Sequence, residues 1–217
     1  MRFKAAILQF AVIAAGFLLC AGHGLAADRP LQLVGFGDSL MAGYQLPETD
    51  GLPAQLQAAL NGRGIAATIA NAGVSGDTSA SGLARIDWSV PDGTDGVILE
   101  LGANDALRGV APEETEKNLE EIIVRLQDRG IAVLLVGMLA PPNMGPDYAA
   151  RFNPLYQRLA EKYQLPLYPF ILDGVATKAG LQLADGMHPN TEGVAVMAER
   201  MLPMVEQFSR TIMDRKK

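Results

Sequence analysis

Apolar residues recur along this chain in two alternating rhythms. Residues Leu31–Gly37, 65–70, 96–101, 131–138 and, more weakly, 166–170 form short apolar runs that predict strands. Within the fourth run, Val133-Leu134-Leu135-Val136 is apolar at successive positions, the pattern of a parallel strand covered on both faces. Between the runs the spacing lengthens to that of helices. Residues 51–63 place Leu52, Leu56, Ala59 and Leu60 on one face, and residues 112–129 do the same with Leu119, Ile122, Ile123 and Leu126. Residues 147–163 and 191–208 complete the set, the last carrying Val194, Met197, Ala198 and Met201 at helical spacing. Asn61-Gly62 and Arg129-Gly130 punctuate two of the helix ends. Strands and helices in alternation predict one three-layer α/β domain with a parallel sheet. No linker, repeat or low-complexity tract divides it, so residues 27–217 read as a single unit.

The first residues follow a different pattern. Arg2 and Lys4 precede an apolar run from Ala5 to Cys20, and small residues then lead to Gly24-Leu25-Ala26-Ala27. That order predicts a secretory signal peptide over residues 1–26, cleaved after Ala26 or Ala27. The apolar run is shorter than the roughly 20 residues of a spanning helix, so no stable membrane anchor is expected after cleavage. A periplasmic or secreted location in a bacterium follows.

Removing the leader changes the charge and the chemistry available. The full chain has a formal net charge of −6, and losing Arg2 and Lys4 with no acid takes it to −8. An acidic chain with no internal Lys/Arg cluster is unsuited to nucleic acid. Cys20 and His23 leave as well, so the mature chain has no thiol nucleophile, disulfide or Cys-based metal site, and His188 is its only imidazole.

In a parallel α/β sheet, ligands bind beyond the carboxyl ends of the strands, and the polar, glycine-rich segments fall there. Gly35-Phe36-Gly37-Asp38-Ser39-Leu40 follows the first strand and presents a serine between small residues. Ser39 reads as a nucleophile if a base reaches it, and otherwise as a turn or cap serine. Its surroundings are not the Gly-x-Ser-x-Gly elbow. After the second strand, Asn71-Ala72-Gly73-Val74-Ser75-Gly76-Asp77-Thr78 combines glycines that bring amide groups near a ligand with a helix cap at Asp77 or Thr78. After the third, Gly102-Ala103-Asn104-Asp105 offers a neutral amide donor suited to a developing oxyanion, or a plain turn. Near the end, Asp185-Gly186-Met187-His188-Pro189-Asn190 sets an acid three residues before the histidine. The acid can fix the imidazole tautomer while the other ring nitrogen takes a serine proton. A metal site there lacks a second His or Cys ligand, and no metal or cofactor is expected.

These segments resemble the blocks of the SGNH, or GDSL-type, hydrolases. Gly37-Asp38-Ser39-Leu40 is similar to the first block, Gly76 to the second, Gly102-Ala103-Asn104-Asp105 to the third and Asp185 with His188 to the fifth. Gly76-Asp77-Thr78-Ser79, Leu83-Ala84-Arg85 and Asn104-Asp105-Ala106-Leu107-Arg108-Gly109 resemble the bacterial periplasmic thioesterase, lysophospholipase and arylesterase branch. The resemblance implies a flavodoxin-like α/β/α fold and a catalytic triad of Ser39, His188 and Asp185. It implies an oxyanion hole made by the amides of Ser39 and Gly76 and the side chain of Asn104. Ala103 departs from the Gly-Gly-Asn-Asp common in that branch and sets a methyl group beside the oxyanion donor. The expected partner is a small acyl ester or thioester, with Leu107, Val110 and Met144 as candidate lining of an acyl groove. A carbohydrate O-acetylesterase is the alternative within the enzyme class. A non-catalytic small-ligand-binding module of the same fold is the alternative outside it, although no Gly-x-x-x-x-Gly-Lys phosphate loop is present.

Overall fold

Five strands, all parallel, make one sheet in the computed structural model, which describes residues 29–216. The expected leader over residues 1–26 lies outside the described residues. The strands are β1 (Leu31–Gly37), β2 (Ala67–Gly73), β3 (Gly96–Glu100), β4 (Ala132–Val136) and β5 (Leu167–Tyr168), in the spatial order β2-β1-β3-β4-β5. The helices are α1 (Ser39–Ala42), α2 (Leu52–Gly62), α3 (Ser79–Ser89), α4 (Ala103–Leu107), α5 (Pro112–Asp128), α6 (Pro146–Phe152), α7 (Leu155–Tyr163) and α8 (Thr191–Arg215).

Side chains alternate through the sheet into two apolar cores. Leu33, Ile98, Leu134 and Val136 pack with α2 and α8 on one face, while Val34, Phe36, Val97, Leu99, Val133 and Leu135 pack with α3, α5, α6 and α7 on the other. Helices on both faces explain why the strands read as continuous apolar runs. The strand order reverses at β1, with β2 on one side of it and β3 on the other, and a crevice opens at the carboxyl ends of such strands. The three-layer α/β/α, flavodoxin-like expectation is met.

Several boundaries differ from the sequence pattern for physical reasons. The region 147–163 is two helices, because Pro154 has no N–H to continue the ladder and α7 starts after it. β2 starts and ends later than residues 65–70, and its register runs on to pair Gly73 with Gly37. Its last residue touches α1 so closely that a Cβ on Gly73 would lie 2.3 Å from the Ala42 nitrogen. α8 continues past residue 208 to Arg215, because Ser209 and Ile212 extend its buried face. No helix among the described residues is long and apolar enough to cross a membrane.

Candidate active site

The chain leaves β1 through a turn at Gly37-Asp38 and enters α1 with Ser39 as its first residue. Asp38 is fully buried and is the N-cap, its Oδ1 accepting the Leu40 N–H at 3.0 Å. A helix of four residues leaves its first N–H without an intrahelical acceptor, and the Ser39 N–H meets no acceptor among the described residues. Gly43, at φ +75°, ends the helix in the left-handed conformation that glycine tolerates.

The histidine loop comes from the other end of the chain. Asp185 Oδ1 accepts the N–H groups of Met187 at 2.9 Å and His188 at 3.0 Å, closing a tight turn through Gly186 at φ +67°. The His188 carbonyl accepts the Leu183 N–H at 2.7 Å, and Asn190 caps α8 by accepting the Gly193 N–H at 2.9 Å. The loop is thus tied to the start of α8, and the imidazole is aimed back across the sheet edge. His188 Nδ1 lies 2.7 Å from Asp185 Oδ2, and Nε2 lies 2.9 Å from Ser39 Oγ. With the proton on Nδ1, that nitrogen donates to Asp185 and Nε2 accepts the Ser39 hydroxyl proton. The backbone hydrogen bond from His188, with the imidazole contact behind it, holds the Asp185 carboxyl down at about 2, so it is ionised across the physiological range. Tyr44 completes the local packing, its ring 4.4 Å from the imidazole centroid.

Asn104 joins the two turns that flank the serine. Its Nδ2 donates to Asp38 Oδ2 at 3.2 Å and to the Asp77 carbonyl at 3.0 Å, so the amide lies between the Asp38-Ser39 turn and the Gly76-Asp77 turn. Gly76 has φ +89°, its carbonyl accepts from Arg108 Nη2 at 2.8 Å, and its N–H meets no protein acceptor among the described residues. Thr78, and not Asp77, caps α3, its hydroxyl accepting the Ser81 N–H. Asp77 instead pairs with buried Arg85 at 2.5 Å. Gly102, at φ +120°, is required where Asn104's turn begins, because a Cβ there would stand 2.2 Å from the Tyr156 hydroxyl. Ala103 is buried as the first residue of α4, so its methyl group points into protein.

Leu107 is exposed at the end of α4, Val110 is half-buried, and the Val110 carbonyl accepts the Tyr148 hydroxyl at 2.7 Å. Met144 packs at the edge of the apolar core, where a Cβ on Gly109 would lie 3.6 Å from its methyl group. The α4 loop and the loop after β4 are therefore neighbours. Tyr44, Val74, Leu107, Leu139 and Met187 are large apolar residues left exposed, and each lies in a segment that follows a strand or flanks His188. A cavity of about 570 Å³, bordered by Gln127, Val133, Tyr163, Phe208 and Arg215, lies at the opposite, amino edge of the sheet and contains none of these residues. Among the described residues, no three His, Cys, Asp or Glu side chains cluster as a metal site.

No role follows from the sequence for Tyr44, Asp38, Arg85 or Glu100, and Asp38 and Arg85 enter only inside matching motifs. Glu100 carried a usable signal, an acid inside an otherwise apolar strand. Asp38 lay within the Gly37-Asp38-Ser39-Leu40 block, and Tyr44 carried no signal beyond its nearness to Ser39.

The chain is similar to known proteins over most of its length. An arylesterase of Vibrio mimicus is 41% identical over 175 residues, covering 80% of this chain and 88% of that protein. Thioesterase 1/protease 1/lysophospholipase L1 of Escherichia coli K12 is 35% identical over 197 residues, covering 88% of this chain and 92% of the relative. The crystal structure of AlinE4, an SGNH-hydrolase family esterase, superposes with a TM-score of 0.70 at 44% identity, over 82% of this chain and 96% of that one. With the sequence model of the family also matching residues 36–196, the chain belongs to the GDSL-like lipase/acylhydrolase family.

Proposed function

We propose that the protein is an exported serine hydrolase that cleaves carboxylic esters and thioesters of apolar acids through an acyl-enzyme on Ser39. The observation that carries this reading is the unbroken relay from Ser39 Oγ through His188 to Asp185, at 2.9 and 2.7 Å. A serine hydroxyl is a weak nucleophile until a positioned base takes its proton. Here the only imidazole among the described residues stands within reach of that hydroxyl, with an ionised carboxylate behind it.

The reaction proceeds in two halves. Ser39 Oγ attacks the acyl carbon as its proton passes to His188 Nε2, and Asp185 stabilises the imidazolium. The oxyanion accepts hydrogen bonds from the N–H groups of Ser39 and Gly76 and from Asn104 Nδ2, one of whose two N–H groups turns to it from Asp38 or Asp77. Collapse breaks the bond to the alcohol or thiol, which leaves with the proton from His188. Water then gives a proton to His188 and attacks the acyl-enzyme, and as the bond to Ser39 Oγ breaks His188 returns that proton to it, releasing the carboxylic acid and free Ser39.

Apolar residues around the site support an apolar acyl or aryl group over a carbohydrate O-acetyl ester, because Tyr44, Val74, Leu107 and Met187 offer water-facing hydrophobic surface. Leu107, Val110 and Met144 line the acyl side of that surface. The basic start and apolar run of residues 1–20 support export through a cleaved leader. The test is hydrolysis of p-nitrophenyl butyrate together with labelling by an organophosphonate. Activity is expected to vanish in Ser39→Ala, and a single label is expected on Ser39. Turnover surviving in Ser39→Ala, or a label on another residue, refutes the assignment.

A further inference from the structure

At the carboxyl end of β3, directly behind the nucleophile turn, a glutamate is sealed inside the protein. Glu100 is 1% exposed. Its Oε2 accepts the Asp38 N–H at 3.2 Å, and its Oε1 is buried with no hydrogen-bond partner among the described residues. A carboxyl group so placed is unfavourable unless it does something that an apolar residue cannot. None of the steps from Ser39 to Asp185 uses it.

Its neighbours show what it holds. The Gly37 carbonyl accepts the Val74 N–H at 3.0 Å and Arg85 Nη2 at 2.9 Å, while the N–H on the other side of the same peptide bond goes to Glu100. The Gly37–Asp38 peptide is therefore gripped on both edges by three separate segments. The next N–H along the chain is that of Ser39. The Asp38 side chain in turn caps Leu40 through Oδ1 and accepts from Asn104 through Oδ2. Gly37 is fitted to this arrangement, because a Cβ there would lie 2.4 Å from Glu100 Oε2.

We propose that Glu100 is a positioning residue for the oxyanion pocket, acting through the Asp38 N–H to fix the Ser39 amide and the Asp38 carboxyl that holds Asn104. This deepens the serine-hydrolase reading and rests on it. Burial, with the Asp38 carboxyl adding to it, pushes the Glu100 carboxyl well above the ordinary carboxylate range. What the site needs from it is the acceptor. A glutamine supplies that acceptor in the same shape, whereas a leucine fills the volume without one and an aspartate withdraws the acceptor by one methylene.

The experiment measures kcat and KM on p-nitrophenyl butyrate for Glu100→Gln, Glu100→Leu and Glu100→Asp, with melting curves alongside. Loosening an oxyanion donor without deleting it is expected to lower kcat by about 10- to 100-fold in the Leu and Asp variants, against the 10²–10³-fold of outright deletion. KM is expected to stay within about twofold, because the ground-state ester makes little use of those donors. Glu100→Gln is expected to restore kcat to within about threefold of the parent. The proposal is overturned if the Leu and Asp variants keep full kcat, if their loss falls on KM, or if Gln is as damaging as Leu. Should the Leu variant not fold, the Asp and Gln pair carries the same contrast. Ser39→Ala is run beside them, and activity surviving there sinks the hydrolase reading itself, an outcome distinct from any result at position 100.

Discussion

Replacing Asn104 by alanine removes a single amide group from the site and leaves its support in place. The backbone of α4 is held by buried Ala103, Asp105 and Ala106, none of which depends on the Asn104 side chain. Two hydrogen bonds disappear, to the Asp77 carbonyl and to Asp38 Oδ2. At about 1 kcal/mol for an ordinary bond, and somewhat more for one to a charged group, the stability loss is about 2–3 kcal/mol. The protein should still fold. The effect on rate is larger, since losing one preorganised oxyanion donor lowers kcat by about 10²–10³-fold, equivalent to about 2.7–4 kcal/mol of transition-state stabilisation. A second consequence concerns Asp38. Burial raises its carboxyl to about 6, and the bond from Asn104 is one of the contacts that opposes the rise. Without it, Asp38 should titrate higher still, which a carboxyl-carbon NMR titration reads directly. Steady-state kinetics on p-nitrophenyl butyrate, with a melting curve for the fold, supply the rest. A kcat within about threefold of the parent, or a loss confined to KM, would refute the placement of Asn104 at the oxyanion.

Two further substitutions probe the supports of the site. Asp105 is fully buried and accepts the Ser79 N–H at 2.8 Å, the Ser79 hydroxyl at 2.5 Å and the Thr115 hydroxyl at 3.2 Å. Asp105→Asn turns one acceptor oxygen into a donor, so about 2–4 kcal/mol of stability should be lost in urea unfolding, and an unchanged midpoint would remove this role. Asp185 is held below its ordinary carboxyl value of 3.8, at about 2, and a depressed acid stabilises the fold above its unfolded-state pKa. That contribution should be complete above about pH 4 to 5 and fade as pH falls toward 2, so parent and Asp185→Asn should converge in stability over that window. The same variant should lose kcat by about 10⁴-fold at neutral pH, because an amide no longer secures the productive imidazole tautomer. Full activity in Asp185→Asn would contradict the triad.

What the chain displays openly and what it conceals divide along a physical line. The fold class, the four polar loops and the candidates Ser39, Asn104, Asp185 and His188 were readable because each has a local cause, whereas Gly76 was picked out as a candidate by the resemblance to the GDSL-type blocks. Strands buried on both faces must be apolar, and a parallel sheet puts every strand-to-helix loop at one edge, so loops far apart in sequence converge there without any long-range knowledge. The break at Pro154 was equally local and was passed over because apolar spacing continues on both sides of it. Pairings of β2 beyond residue 70 were hidden for another reason: Asn71-Ala72-Gly73 looks like a loop until Gly73 is seen to pair with Gly37.

The supports of the nucleophile turn depend on register, and no pattern along one strand contains register. Phe36 pairs with Leu99, so the next step along both strands sets Gly37 beside Glu100. Side chains alternate across the sheet, and Leu99 faces the core of α3 and α5, which turns Glu100 to the side where α1 begins. A carboxyl group on that side can reach the Asp38 N–H, 62 positions earlier in the chain, only if residue 37 has no Cβ. The glycine before Asp38 and the glutamate ending β3 are thus two halves of one steric condition. The same reasoning links Arg85, 48 positions from Gly37, which stacks 4.0 Å over the Phe36 ring and donates to the Gly37 carbonyl. A one-residue slip between β1 and β3 would turn Glu100 to the opposite face and set an apolar neighbour in its place. Strand pairing therefore does more than build the scaffold here: it selects which buried polar groups meet the peptide that carries Ser39.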